Sequence, residues 1–443
     1  MRWSSRPWLG IGAAAALTLA ACADDPVQPA DRFDDFAPAS SVAPAQDGRY
    51  LIWLRADGAV PRHVSREVAS MGARVRHDLR EIRFLAVENL SSRHAAELAR
   101  RSDIRAVVPD YQVQWIPPSE RTNTRTSRMP ARARGPLQGT DQTGAFFFAD
   151  QWNIRQIQAD DAYAATPTGA GALVCVLDSG IDPGQQDLVG KVDLTKSVSF
   201  VPTEPFIEDL FFHGTFVAGL ISSNGIGTAS VAPDATLCAV KVLDLTGSGS
   251  FSGVLAGVVH AALVGADVAN LSLGGYFPKT LPGIATLREA FRQAFIFARD
   301  HGTQIVVAAG NDGANLDEDG DMIVLPAEVP GAISVAATGP INQMNFDALA
   351  AYTNFGSRLG GVEIAAPGGA DGADAVVVED FILGPCSRFA PFCGADGIYV
   401  FANGTSAAAP HVSGVGALAE SFIGGNQRAK FLDACILLNT DVI

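Results

Sequence analysis

A chain of 443 residues with 48% hydrophobic side chains carries enough apolar material for one large core and a smaller domain beside it. Its formal charge of −15 falls mainly after residue 145, and so acidic a body is unsuited to nucleic acid, whose phosphates require Lys/Arg surfaces. The apolar run Leu9 to Leu19 is too short to span a bilayer as an ordinary helix, and no other stretch is long and apolar enough.

That run sits behind Arg2 and Arg6 and ends in Leu19-Ala20-Ala21-Cys22, so residues 1–22 read as an export signal. The terminal cysteine gives it the form of a lipoprotein signal, with Cys22 as the acylated new N-terminus. A plain secretory signal with an incidental cysteine is the alternative. The expected location is the cell envelope, with membrane contact only through the lipid. Residues 23–47 are an acidic, Pro/Ala-rich leader expected to be disordered.

Residues 48–116 carry a compact pattern. RYLIWLR, ARVRHDL, IRFLAVEN and IRAVVPD are strands; PRHVSREVASMG is a helix stopping at Gly72, and SSRHAAELARR a helix capped by Ser91 or Ser92. The order β-α-β-β-α-β is the ferredoxin-like, split βαβ arrangement. Residues 117–143, rich in Arg, Pro, Ser and Thr, have almost nothing to bury and read as a flexible linker open to proteolysis.

From residue 144 to 443 the pattern becomes α/β. GALVCVLD, ATLCAVKVL, VANLSL, TQIVVAAG and AISVAAT are short continuous apolar runs, as expected of strands buried on both faces of a parallel sheet. VLAGVVHAALVG and ATLREAFRQAFIFARD alternate with them as helices. The expected fold is a doubly wound, mainly parallel sheet with helices on both faces, its functional groups at the carboxyl ends of the strands. Cys386 and Cys393 flank a short loop and suit a local disulfide in an exported protein, whereas Cys175, Cys238 and Cys435 read as buried small hydrophobes.

Four residues stand where chemistry is expected. Asp178 ends GALVCVLD. His213 opens an apolar helical pattern in FFHGTFVAGLI. Asn311 ends VVAAGN, and Ser406 lies in FANGTSAAAPHVSG at the mouth of a small-residue helix. Each alone has an ordinary reading: a buried carboxylate, a satisfied core histidine, a turn asparagine, a helix-start serine. In the order Asp178, His213, Asn311, Ser406, with VLDSGID, HGTFVAG, SVAPDATLCAVKVLD, NLSLGG, VVAAGND, IAAPG and NGTSAAAPHVSG around them, the chain resembles the subtilisin-like serine peptidases over residues 150–443. The preceding domain resembles that family's inhibitory propeptide.

The resemblance implies a serine endopeptidase acting on polypeptides. Ser406 would be the nucleophile, His213 the base, Asp178 its orienting carboxylate and Asn311 an oxyanion donor. Gly247, Ser248 and Gly249 would flank an extended substrate together with Ser272, Leu273 and Gly274, and Ala308, Ala309 and Gly310 would line the pocket before the cut. Pro410, one turn into the last helix, is expected to cost little there. The propeptide would inhibit in cis until self-cleavage, and a cut in the Arg-rich linker would free a form lacking residues 1 to about 143 from the lipid. The rival is a catalytically silent surface-binding protein on the same scaffold. An α/β esterase is disfavoured because no G-x-S-x-G elbow occurs.

Phe216 and Ala407 depart from the family's common histidine and methionine beside the triad. ISSNGIGTASVAP is shorter than the loop that holds a calcium ion in some members. The chemistry requires no cofactor. NLDEDGD, with Asp317, Glu318, Asp319 and Asp321, leaves three readings open: a solvated acidic loop, a structural calcium site at Asp317, Asp319 and Asp321, or charge that favours Lys/Arg in the substrate.

Overall fold

The computed structural model describes residues 42–43, 48–55, 62–117, 120, 124–130, 141–164, 168–318, 320–356, 361–370, 377–394, 397–423, 433 and 436–437. The signal with Cys22, the leader up to residue 41, Asp319 and Cys435 lie outside them. No described helix is long and apolar enough to cross a membrane.

Seven parallel strands form the central sheet. Their order is Ile364–Pro367, Ile333–Thr338, Gln304–Ala308, Val268–Leu271, Leu173–Asp178, Thr236–Lys241 and Val198–Ser199. From Leu173–Asp178 the chain goes first to one side and then to the other, so the sheet's switch point lies at Asp178. Every residue of LVCVLD, VANL and QIVVA is buried, which is why those runs lack polar alternation. The helices His213–Ile221 and Thr405–Ile423 pack together, the latter against five of the strands, while Phe251–Leu263 packs with Ile284–Asp300.

The N-terminal region is the expected βαββαβ unit. Its antiparallel sheet runs Arg74–Leu79, Phe84–Glu88, Tyr50–Leu54, Ile104–Pro109, and Ser91 caps the second helix by accepting from the His94 N–H at 3.2 Å. Its strands are apolar on both faces for a reason. Ile52, Leu54, Leu85 and Val87 pack under the unit's own helices, while Leu51, Trp53, Phe84 and Ala86 join the core of the larger part. The sheet lies against helices Phe251–Leu263 and Ile284–Asp300. Asp110 completes the docking: its carboxylate accepts from the N–H (3.0 Å) and hydroxyl (2.5 Å) of Ser252, capping the first of those helices. Burial there raises the Asp110 pKa.

Two expectations are corrected. Cys175 and Cys238 are joined as a disulfide, since the parallel register sets them directly opposite on neighbouring strands; Cys386 and Cys393 are joined as well. The stretch 117–143 is not uniformly a flexible linker. Arg125–Arg128 pairs antiparallel with Ile398–Phe401, and Met129 is fully buried among Phe147, Phe381, Leu383, Tyr399 and Phe401. A backbone ladder plus one buried methionine anchors a segment whose composition otherwise reads as unstructured.

Candidate active site

Asp178 ends its strand fully buried, and His213 opens its helix with Nδ1 2.9 Å from both Asp178 oxygens. The approach is steric as well as polar. A Cβ on Gly214 would lie 2.1 Å from the Gly180 carbonyl oxygen, so only glycine lets the helix start reach Asp178. Asp209 fixes the helix entry. Its carboxylate accepts from the N–H groups of Phe211, Phe212 and Thr215 and from the Ser179 hydroxyl, and it holds Phe212 at φ 100° just before the imidazole. Phe216, in place of a second histidine, is buried against Phe212.

Ser406 is the second residue of helix Thr405–Ile423 and is 4% exposed. A Cβ on Gly404 would lie 2.7 Å from the Ser406 Oγ, so glycine keeps space open over the hydroxyl. Pro410 withholds the N–H that the Ser406 carbonyl would otherwise receive, and the Ser272 hydroxyl replaces it at 2.7 Å. The proline therefore does have a cost, offset by Ser272. Asn311 faces the same spot. The N–H and hydroxyl of Thr405 both donate to Asn311 Oδ1 at 2.8 Å, which turns the Nδ2 donor toward the space in front of Ser406.

The chain itself lies in this cleft. Gln112–Gln114 pairs antiparallel with Ser248–Ser250, the N–H groups of Trp115 and Ile116 donate to the Gly247 carbonyl at 3.1 and 3.2 Å, and the Gly274 N–H donates to the Trp115 carbonyl at 3.3 Å. The Trp115 indole donates to the Gly249 carbonyl at 2.9 Å, with the Phe251, Phe277 and Phe291 rings edge-on to it. Ser272, Leu273, Gly274, Ala308, Gly310, Asn311, Thr405 and Ser406 line the cleft next to Trp115 and Pro117. Ala309 is the exception among the expected residues: it is fully buried, with its N–H on the Val335 carbonyl and its own carbonyl on the Asn354 amide.

Sequence reasoning missed Glu120, whose carboxylate sits at the centre of the site. Asn311 Nδ2 donates to Oε1 at 2.7 Å, the Ser406 hydroxyl donates to Oε2 at 3.1 Å, and His213 Nε2 lies 3.4 Å from Oε2. Nothing in a stretch read as linker marks it. Asp209 was missed too, although an aspartate four residues before a helix-opening histidine is a helix-start signal. Burial works to lower the His213 pKa, but Asp178 and then Glu120 outweigh it and raise it to about 10.

Asp187, near the short loop 224–228, is fully saturated. Its carboxylate accepts from the N–H groups of Ile226, Gly227 and Thr228 and from the Tyr399 hydroxyl. Among the described residues no group of three or more His, Cys, Asp or Glu could hold a metal ion.

The Ser406 hydroxyl, the His213–Asp178 pair and the Asn311 amide thus gather around Glu120 at the carboxyl rim of the parallel sheet. Residues 169–434 match the model of the peptidase S8, subtilase family, and the chain belongs to that family. M-protease of Shouchella clausii is 38% identical over 269 residues, covering 60% of this chain and 58% of that one. Subtilisin Savinase of Lederbergia lenta is 38% identical over 269 residues, covering 60% and 82%. This chain thus spans under two thirds of the length of some of its relatives. The crystal structure of the epidermin leader peptide processing serine protease from Staphylococcus aureus has the same fold, with a TM-score of 0.68 at 22% identity over 88% of this chain and 91% of that one.

Proposed function

We propose that this chain is an exported serine endopeptidase, made as a zymogen that cuts itself. The observation that carries the reading is a strand of the chain's own N-terminal region lying in a cleft that ends at Ser406, Asn311 and the His213–Asp178 pair. Ser406 Oγ attacks the substrate carbonyl while its proton passes to His213 Nε2. The Asn311 amide and the Ser406 N–H at the helix start stabilise the oxygen that becomes negative. His213 then protonates the leaving amine, and water releases the acyl group by the reverse sequence. Asp178 keeps the imidazole in the tautomer that presents Nε2 and stabilises its charged form. These steps use side chains and one backbone N–H, with no cofactor.

The signal-like residues 1–22 support export, with Cys22 as lipid anchor of the precursor. Pro117 lines the cleft and Glu120 touches Ser406, which favours a cut earlier than one near residue 143. N-terminal sequencing of processed material is expected to place its first residue within 118–123, ahead of the paired strand Arg125–Arg128. A first residue near 144 as the primary product would overturn this. The reading as a whole is tested with a fluorophosphonate probe. Peptide mapping should find the label on Ser406, and a processed chain that stays unlabelled would end it.

The rate should also follow the base. In the processed chain, with Glu120 displaced, the imidazole loses one of the two carboxylates that hold it charged, so its pKa falls from the value near 10 toward the ordinary value of about 6.5. Hydrolysis is therefore expected to rise with pH through the neutral range, because only neutral His213 can accept the proton. A profile greatest at pH 4 and declining toward pH 8, measured on a short peptide substrate, would contradict that role.

A further inference from the structure

We propose that Glu120 is a carboxylate latch: in the uncut chain its side chain occupies the place of the substrate oxyanion and stands between nucleophile and base. The proposal rests on the reading of Ser406, His213 and Asn311 above and adds how the uncut chain is kept silent. A strand in the cleft blocks substrate by occupancy, and it would do so with any side chain near the nucleophile. Glu120 does something different in kind.

An ionised carboxylate accepts hydrogen bonds and cannot donate them. Both of its oxygens are engaged by the groups the reaction needs. Oε1 takes the Asn311 amide at 2.7 Å, the donor that would otherwise meet the developing negative charge. Oε2 takes the Ser406 hydroxyl at 3.1 Å and lies 3.4 Å from His213 Nε2, which has no hydrogen-bond partner among the described residues. The proton that the base should remove is thus directed to the latch, and the imidazole faces a negative charge that favours its protonated, inactive form. The side chain is only 11% exposed, so water screens the arrangement little.

The latch is tethered on both sides. Upstream, the Gln112–Gln114 ladder and the Trp115 indole hold the chain in the cleft. Downstream, Arg125–Arg128 is paired with Ile398–Phe401 and Met129 is buried. A carboxylate that would bind weakly as a free solute is kept beside Ser406 at high effective concentration by these two anchors. The first cut is made while Glu120 is transiently out of the site, and because it releases one of the two anchors the latch does not close again.

The test uses the full-length chain refolded from denaturant, with fluorophosphonate added during the interval before cleavage. Labelling of the uncut and the processed bands is timed separately for wild type, E120Q and E120A. The uncut wild-type band is expected to label about 10-fold or more slowly than the processed band, and both variants should remove most of that difference. E120Q keeps the shape and loses the charge, so it separates the latch from simple filling of the cleft. If both variants melt like wild type and their uncut bands label as slowly as the wild-type uncut band, the latch is wrong and occupancy by the strand suffices. If the processed wild-type band never labels, the underlying assignment of Ser406 fails and the latch falls with it.

Discussion

Changing Ser406 to alanine is expected to leave the chain uncut and to lower peptide hydrolysis by about a million-fold, the scale measured when the nucleophile is removed from subtilisin itself. The size follows from the way the three side chains act as a unit. Without the hydroxyl, the buried His213–Asp178 pair has no proton to take, and only binding and the oxyanion donors remain. The fold should survive, because Ser406 contributes structurally through its carbonyl, held by Ser272, and alanine retains that carbonyl. Gel electrophoresis of the refolded variant, with a thermal melt alongside, checks both parts. A variant that still converts to the shorter form at the wild-type rate would show that cleavage is done by another agent.

Asn311→Ala should produce the second-largest loss, about 10²- to 10³-fold in kcat with KM little changed, a magnitude again taken from subtilisin. The donor acts on charge that exists only in the transition state, so its removal should leave ground-state binding nearly intact. In this chain the same amide also holds Glu120, and its oxygen receives the N–H and hydroxyl of Thr405. The substitution should therefore slow the chemistry of the processed enzyme while loosening the uncut one. Steady-state kinetics on the processed form isolate the first effect. A rise in KM at unchanged kcat would mean that Asn311 serves substrate binding instead.

How much of this could be read from the residues depends on what each feature leaves in the pattern. Asp178, at the end of its strand, and Asn311, in the turn just past Gln304–Ala308, were legible because a doubly buried parallel strand is a continuous apolar run that stops abruptly at its functional end. His213 and Ser406 were legible through the small residues around them, and the glycines show why: Gly214 and Gly404 sit where a methyl group would collide. The bond between Cys175 and Cys238 was not legible, since burial and pairing give the same apolar surroundings and only the register distinguishes them. Glu120 and the strand Arg125–Arg128 were invisible for a related reason. Their partners lie far away in sequence, and a segment that borrows its order from elsewhere carries no periodicity of its own.

The pairing of Arg125–Arg128 with Ile398–Phe401 bears on where a recombinant version of this chain should begin. That short arginine-bearing strand covers the outer side of a hairpin containing Tyr399, Val400 and Phe401, and its loss would leave a bare row of unpaired amides and carbonyls leading straight into the nucleophile's helix. An expression boundary drawn at residue 144 would strip away this cover and invite edge-to-edge association between molecules, whereas one drawn ahead of residue 124 would keep the strand that shields it.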